Sequence, residues 1–147
     1  MLVREAMSRD VKTVAPETTV REAARIMADA DVGALPVAAG DQLAGMVTDR
    51  DIVVRAIAIG KGPDTTVGEV MTHDVLYCHE DEDIGHIALN LAENQVRRLP
   101  VVDVDKRLVG IISLADIADA RADEAGEALE GITRPGGARS QSIEGRA

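Results

Sequence analysis

The sequence predicts an α+β fold in which two β-α-β-β-α repeats pack about a pseudo-twofold axis. The chain contains an internal repeat: residues 3–37 and residues 67–101 are identical at eleven of 35 aligned positions. After one inserted residue the match resumes, and residues 43–52 face residues 108–117. Each copy shows the same order of short apolar segments and helical periodicity. A unit of about 60 residues buries too little surface to be stable alone, so the two copies are expected to pack together.

The order of elements is the same in both repeats. Each begins with a short apolar strand, predicted at Val11–Ala15 and Val75–His79, and continues with a helix. In the first repeat this helix begins at Thr19-Val20-Arg21-Glu22, which has the form of a capping box. Two more strands and a last helix follow. These later strands are predicted at Leu35–Ala38 and Leu43–Thr48, then at Leu99–Val102 and Leu108–Ser113.

The boundaries of these units follow from shifts in composition. A glycine-rich stretch separates the copies, an alanine-rich acidic stretch follows the second, and a tail poor in apolar residues ends the chain. The predicted division is repeat 1 at 1–60, a linker at 61–66, repeat 2 at 67–120, a helical extension at 121–132 and a flexible tail at 133–147.

Composition and charge exclude several classes of protein. Tyr77 is the only aromatic residue, so the core must consist of aliphatic side chains and methionine. No apolar run reaches the length of a membrane span and the N-terminus lacks the pattern of a signal peptide, so no membrane partner is expected. The net charge of −10 disfavours nucleic-acid binding. The single cysteine, Cys78, excludes an internal disulfide and predicts a cytoplasmic location.

One motif occurs at the same place in both repeats: glycine, two apolar residues, Thr or Ser, two further residues and Asp. It spans Gly45–Asp51 and Gly110–Asp116, where an apolar strand leads into a helix. A hydroxyl and a carboxylate thus lie three residues apart beside free backbone N–H groups, and a carboxylate suits a vicinal diol such as that of ribose. The same spacing also describes a simple helix cap, and both interpretations remain open.

The doubled pattern resembles a tandem pair of CBS domains, also called a Bateman module, and especially the small stand-alone bacterial members. The resemblance covers residues 1 to about 120. Besides the doubled motif, it depends on the Leu-Pro-Val tripeptides that precede it, within the segments Asp31–Val37 and Gln95–Val101.

The resemblance implies a non-catalytic regulatory module that binds AMP, ADP or ATP in clefts between its two halves. Asp51 and Asp116 would hold the ribose diol, and Thr48 and Ser113 would contact ribose or phosphate. Backbone and apolar groups of two further segments would hold the adenine; these are Thr13–Val14 and Tyr77–Cys78.

The two repeats differ where family members contact phosphate. Repeat 2 carries Arg97 and Arg98, whereas repeat 1 has Gly33 and Ala34. Guanidinium groups pair well with phosphate. The alternative is a solvated pair of arginines, or one that forms salt bridges with the acidic tail. Repeat 1 would bind phosphate only if an arginine reached across the axis.

No catalytic residues are predicted, because P-loop, dinucleotide and nucleophile motifs are absent. No metal or cofactor is predicted either, since the spacing of His73, His79, His86 and Cys78 matches no usual zinc pattern. The preferred hypothesis is a homodimeric sensor of energy status that signals to an unknown effector protein. Candidates for the dimer surface are Ile52, Val53, Ile57 and Ile117.

Other functions stay open beside this hypothesis. One is a structural or interaction protein with vestigial clefts, and another is a binder of S-adenosylmethionine or NAD. A small metal-dependent enzyme is a third hypothesis, which metal analysis would test.

Overall fold

The computed structural model describes the backbone of residues 1–129 and the side chains of residues 1–122. The predicted flexible tail, 133–147, lies outside the described residues. The first repeat contains the elements α1 (Val3–Ala6), α2 (Val20–Ala30), β1 (Ala34–Ala39), β2 (Gln42–Thr48) and α3 (Asp49–Arg55), followed by a 3₁₀ turn at Ile57–Ile59. The second repeat contains α4 (Val67–Val70), β3 (Cys78–His79), α5 (Ile84–Asn94), β4 (Arg98–Val102), β5 (Leu108–Ser113) and α6 (Leu114–Leu129).

The two long helices before the hairpins begin and end in matching ways. Thr19 accepts a hydrogen bond from the backbone N–H of Glu22 at 3.2 Å, which caps α2. Asp83 caps α5 through the N–H of Gly85 at 2.7 Å. Both helices end at a residue in the left-handed region, Asp31 with φ 57° and Gln95 with φ 56°. The order of helices and strands in the two halves confirms the predicted α+β fold of two repeats.

The strand before each helix is shorter than predicted. In repeat 2, β3 pairs in parallel with β4, whereas in repeat 1 the pairing is a single bridge between Val14 and Val37. The difference has a simple cause. The N–H of Glu80 continues the ladder of repeat 2 by donating to Val102 at 3.0 Å, and the residue at that position of repeat 1 is Pro16, which has no N–H to donate.

Each hydrophobic core is completed by a short helix from the other repeat. Val67 and Val70 of α4 are fully buried in the cluster that includes Leu35 and Val47 of repeat 1. Val3 of α1 is fully buried in the cluster of repeat 2. The two repeats therefore form one folded unit, because neither core is complete without a segment of the other half.

The candidates for the dimer surface lie in two different environments. Ile52 and Ile117 are 9% and 2% exposed and belong to the cores, so the structure contradicts their assignment to a surface. Val53 and Ile57 are 57% and 58% exposed. Helical periodicity accounts for the difference, because adjacent residues on a helix point to different faces. No helix within residues 1–129 is long and apolar enough to cross a membrane.

Candidate functional site

Two clefts of similar size lie where the repeats meet. One has a volume of about 430 Å³ and is called the Ser113 cleft. The other, of about 450 Å³, is called the Thr48 cleft. Both volumes lie within the range of small-molecule sites. The Ser113 cleft is lined by Ser8, Asp10, Val11, Lys12, Ala30, Val32, Ala34, Leu35, Pro36, Arg98, Ile111, Ser113 and Asp116. The Thr48 cleft is lined by Ala34, Met46, Thr48, Thr72, Asp74, Val75, Leu76, Val96, Arg97, Arg98, Leu99 and Pro100.

The doubled motif forms a reciprocal cap at the start of α3 and again at the start of α6. The N–H of Asp51 donates to Oγ1 of Thr48 at 3.0 Å, and the N–H of Thr48 donates to Oδ2 of Asp51 at 2.9 Å. Ser113 and Asp116 make the same two bonds, at 3.0 and 2.9 Å. The interpretation as a helix cap is therefore correct for both copies. Each cap uses only one oxygen of its carboxylate.

The second oxygen of each carboxylate has different surroundings. Oδ1 of Asp51 lies 3.9 Å from Nε of Arg55, and the Asp51 side chain is 14% exposed. Asp51 does not line the Thr48 cleft, although its cap partner does. Asp116 lines the Ser113 cleft together with its own cap partner. Within the described side chains, Oδ1 of Asp116 has no hydrogen-bond or ion-pair partner.

The glycine of each motif allows a segment of the other repeat to form a cleft wall. At Gly45 the carbonyl of Thr72 occupies the place where a Cβ would be, and Met46 and Thr72 exchange two backbone hydrogen bonds, of 2.8 and 3.0 Å. At Gly110 a Cβ would lie 2.8 Å from the carbonyl of Ser8. The chain after Ser8 and the chain after Thr72 then run along the two clefts.

Arg98 lies at the edge of both clefts. It faces Ser113 across the β4–β5 pair, at the position that Ala34 occupies opposite Thr48 in repeat 1. It lines both clefts, and Arg97 lines the Thr48 cleft. The structure thus brings arginines of repeat 2 to the cleft that carries the motif of repeat 1. Neither arginine forms an ion pair within the described part of the chain, and acidic side chains from residue 123 onward lie outside it.

The residues predicted to hold adenine do not line either cleft. Val14 and Cys78 are 5% and 2% exposed and belong to the cores, and Thr13 is exposed. Burial, followed by the charge of Glu82, raises the pKa of the Cys78 thiol to about 12. Tyr77 contacts His79 edge to face, with 5.8 Å between the ring centroids.

Residues slightly earlier in the sequence line the clefts instead. They are Asp10, Val11 and Lys12 in one cleft, and Asp74, Val75 and Leu76 in the other. Lys12 is not among the residues predicted from the sequence. The identical Asp-Val pairs at equivalent positions of the two repeats are the signal that could have found these segments.

Within residues 1–122, no group of three His, Cys, Asp or Glu side chains is arranged to hold a metal ion. His79 is paired with Glu82, with 3.7 Å between Nδ1 and Oε2. Its neighbour Cys78 is buried.

The comparisons with known proteins find one family in both repeats. The CBS domain family matches residues 3–57 and 67–123. The chain is 39% identical over 133 residues to the CBS domain-containing protein YhcV of Bacillus subtilis, covering 89% of this chain and 94% of that protein. It is 41% identical over 117 residues to Hypoxic response protein 1 of Mycobacterium tuberculosis, covering 78% and 81% of the two chains.

Solved structures with the same fold contain different ligands. The structure of Hypoxic Response Protein I with two coordinated zinc ions has a TM-score of 0.74 and 40% identity, over 81% of this chain and 98% of that one. CBSX2 in complex with AMP has a TM-score of 0.74 and 29% identity, over 84% and 97%. A CBS domain pair in complex with 5′-methylthioadenosine and S-adenosyl-L-methionine has a TM-score of 0.71 and 30% identity, over 84% and 98%.

Proposed function

The chain belongs to the CBS domain family, and we propose that it is a non-catalytic regulatory module that binds an adenine nucleotide, AMP, ADP or ATP. The observation that carries this proposal is the composition of the Ser113 cleft. Ser113 and Asp116 lie in one cavity with Lys12 and Arg98. In a chain with a net charge of −10, this cavity combines two cationic side chains with a carboxylate and an apolar wall.

These groups suit the different parts of a nucleotide. An ionised carboxylate with a free oxygen can accept hydrogen bonds from the ribose hydroxyls. A guanidinium and an ammonium group bind phosphate by charge-assisted hydrogen bonds. The side chains of Val11, Val32 and Leu35 give an aliphatic surface for the base. As far as the described residues line them, neither cleft has an aromatic ring, so the base would pack against aliphatic groups.

S-adenosylmethionine is the second candidate ligand. The solved CBS domain pair that contains S-adenosyl-L-methionine is as similar to this chain as the one that contains AMP. Both molecules have the adenosine part, and the carboxylate of S-adenosylmethionine can also pair with an arginine. The cationic residues Lys12 and Arg98 favour the nucleotide, because phosphate carries more negative charge than a carboxylate.

Signalling follows from the way in which the clefts are built. Each cleft has walls from both repeats, so a ligand that binds one relative arrangement of the repeats more tightly shifts the population toward it. We propose that the protein reports energy status in this way to an effector protein not yet identified. A bacterial cytoplasmic location suits the unpaired Cys78, and a homodimer would cover the exposed Val53 and Ile57.

Titration calorimetry with AMP, ADP, ATP, S-adenosylmethionine and NAD tests the proposed function. We expect saturable binding of an adenine nucleotide that is tighter than the binding of adenosine, because only the nucleotide has phosphate for Arg98 and Lys12. Absence of binding by every compound, together with stable assembly, would instead support a structural protein with vestigial clefts. Tighter binding of S-adenosylmethionine than of any nucleotide would favour the second candidate.

A further inference from the structure

We propose that the two clefts are not equivalent and that each chain binds one nucleotide, with its ribose in the Ser113 cleft. This inference deepens the proposed function and rests on it. The two repeats have the same motif, so sequence symmetry predicts two ribose sites. The structure distinguishes them through the surroundings of the two carboxylates and the position of the arginines.

Asp51 has a cationic neighbour that Asp116 lacks among the described side chains. Its Oδ2 caps α3 through the N–H of Thr48 at 2.9 Å, and its Oδ1 faces Nε of Arg55 at 3.9 Å. The Arg55 guanidinium is held in place by the last turn of α4, because its Nη1 also donates to the carbonyls of Val70 and Met71 at 3.3 and 3.4 Å. Arg55 thus places a positive charge beside Asp51, and Asp51 does not line the Thr48 cleft.

Asp116 lacks this arrangement. The residue one helical turn after it is Ala120, at the position that Arg55 occupies relative to Asp51. Alanine has no group that could bind a carboxylate. Oδ2 of Asp116 caps α6 at 2.9 Å, and Oδ1 remains available in a cavity that Asp116 itself lines. Among the described residues, this copy of the motif therefore combines a helix cap with a carboxylate that lines its own cleft and has no cationic neighbour.

The arginines lead to the same assignment. Repeat 2 supplies Arg98 at the position of Ala34 in repeat 1, and this one side chain lines both clefts. When Arg98 binds the phosphate of a nucleotide in the Ser113 cleft, it is no longer available to a second nucleotide in the Thr48 cleft, which then keeps Arg97 as the one cation among its described lining residues. Lys12 is the other cation of the Ser113 cleft, and the equivalent residue in the Thr48 cleft is the uncharged Leu76.

Titration calorimetry with AMP on the full chain, with the Asp116→Asn and Asp51→Asn variants as a matched pair, tests this inference. We expect one AMP per chain. The Asp116→Asn variant should bind AMP and adenosine about tenfold more weakly or worse, which is the scale of a lost hydrogen bond to a charged group. Asp51→Asn should leave both affinities within about threefold of the parent, a change of less than 1 kcal/mol. Asparagine caps helices about as well as aspartate, so both variants are expected to fold.

The stoichiometry of the unmodified chain keeps the inference testable even if a variant fails to fold. Two AMP molecules per chain with similar affinity would overturn it, and so would an Asp51→Asn variant that loses as much affinity as Asp116→Asn. Either result would leave the proposed nucleotide binding intact. Absence of AMP and adenosine binding in the parent would overturn the one-cleft inference and the nucleotide proposal together.

Discussion

Replacement of Gly45 by alanine should destabilise the protein, because the wall of the Thr48 cleft lies directly against this glycine. A Cβ at Gly45 would meet the carbonyl oxygen of Thr72, and it would also lie 3.3 Å from Sδ of Met71. The carbonyl is backbone and cannot rotate away as a flexible side chain can. Thr72 is also held on both sides, since it exchanges hydrogen bonds of 2.8 and 3.0 Å with Met46.

The magnitude follows from three contributions. Overpacking typically costs about 1–3 kcal/mol, and the loss of one of the two hydrogen bonds to Met46 costs about 0.5–1.5 kcal/mol. The lower entropy of the unfolded alanine chain offsets about 0.4–1 kcal/mol of this. We therefore expect the free energy of unfolding to fall by about 2 kcal/mol, which for a chain of this size lowers Tm by roughly 4–8 °C.

Denaturant unfolding of Gly45→Ala, with Gly62→Ala as the control, measures this effect. A Cβ at Gly62 would have no atom within 4 Å, and the φ of this glycine is not positive, so its replacement should be neutral or slightly stabilising. If the two variants have midpoints that agree within experimental error, Thr72 is not fixed against Gly45 and the account of the cleft wall is wrong.

Three other predictions concern phosphate, the thiol and assembly. The double alanine variant of Arg97 and Arg98 should bind AMP at least about tenfold more weakly than the parent but adenosine almost equally; equal losses would indicate damaged folding. Burial raises the pKa of the Cys78 thiol to about 12. The free energy of unfolding that the neutral, buried thiol contributes should therefore be fully present below about pH 9 and be lost between pH 9 and 12. An Ellman's assay at pH 8 should accordingly show slow modification in the folded protein and fast modification in denaturant; equal rates would contradict the burial. Light scattering should give a particle of twice the 15.5 kDa chain mass. The Val53→Asp variant should give half of that particle mass. The control variant Val104→Asp changes a side chain that is 90% exposed and should leave the particle mass unchanged. A parent mass of one chain at micromolar concentration would refute the dimer.

The features that could be predicted from the sequence are those that depend on neighbouring residues. The helix caps at Thr19, Thr48 and Ser113 follow from side chains that bond to backbone groups three residues away, and such contacts leave a local pattern. The pairing of the hairpin strands follows from alternation and from the short turn between them. Repetition of both patterns is sufficient to predict the order of elements in each half.

The features that could not be predicted depend on which half a segment packs against. Val3 and Val67 occupy equivalent positions, and nothing in their local sequence shows that each completes the core of the other repeat. This exchange also explains why the segments predicted to hold adenine do not line the clefts. The chain crosses from one half to the other before Val14 and Cys78, so the residues along the clefts are those of the crossing, such as Lys12 and Leu76.

The doubled motif also shows why a repeated pattern need not mean a repeated function. A reciprocal cap needs one carboxylate oxygen, and both copies retain that bond at 2.9 Å. A ligand needs the other oxygen, and its availability depends on a residue outside the motif, four positions after the aspartate. Arg55 occupies that position in one copy and Ala120 in the other. Under the one-cleft proposal, selection for the helix cap alone would preserve Thr/Ser-x-x-Asp in both repeats although one of them binds the nucleotide. Under that proposal, the residue one turn later distinguishes a cap from a ribose site better than the motif itself.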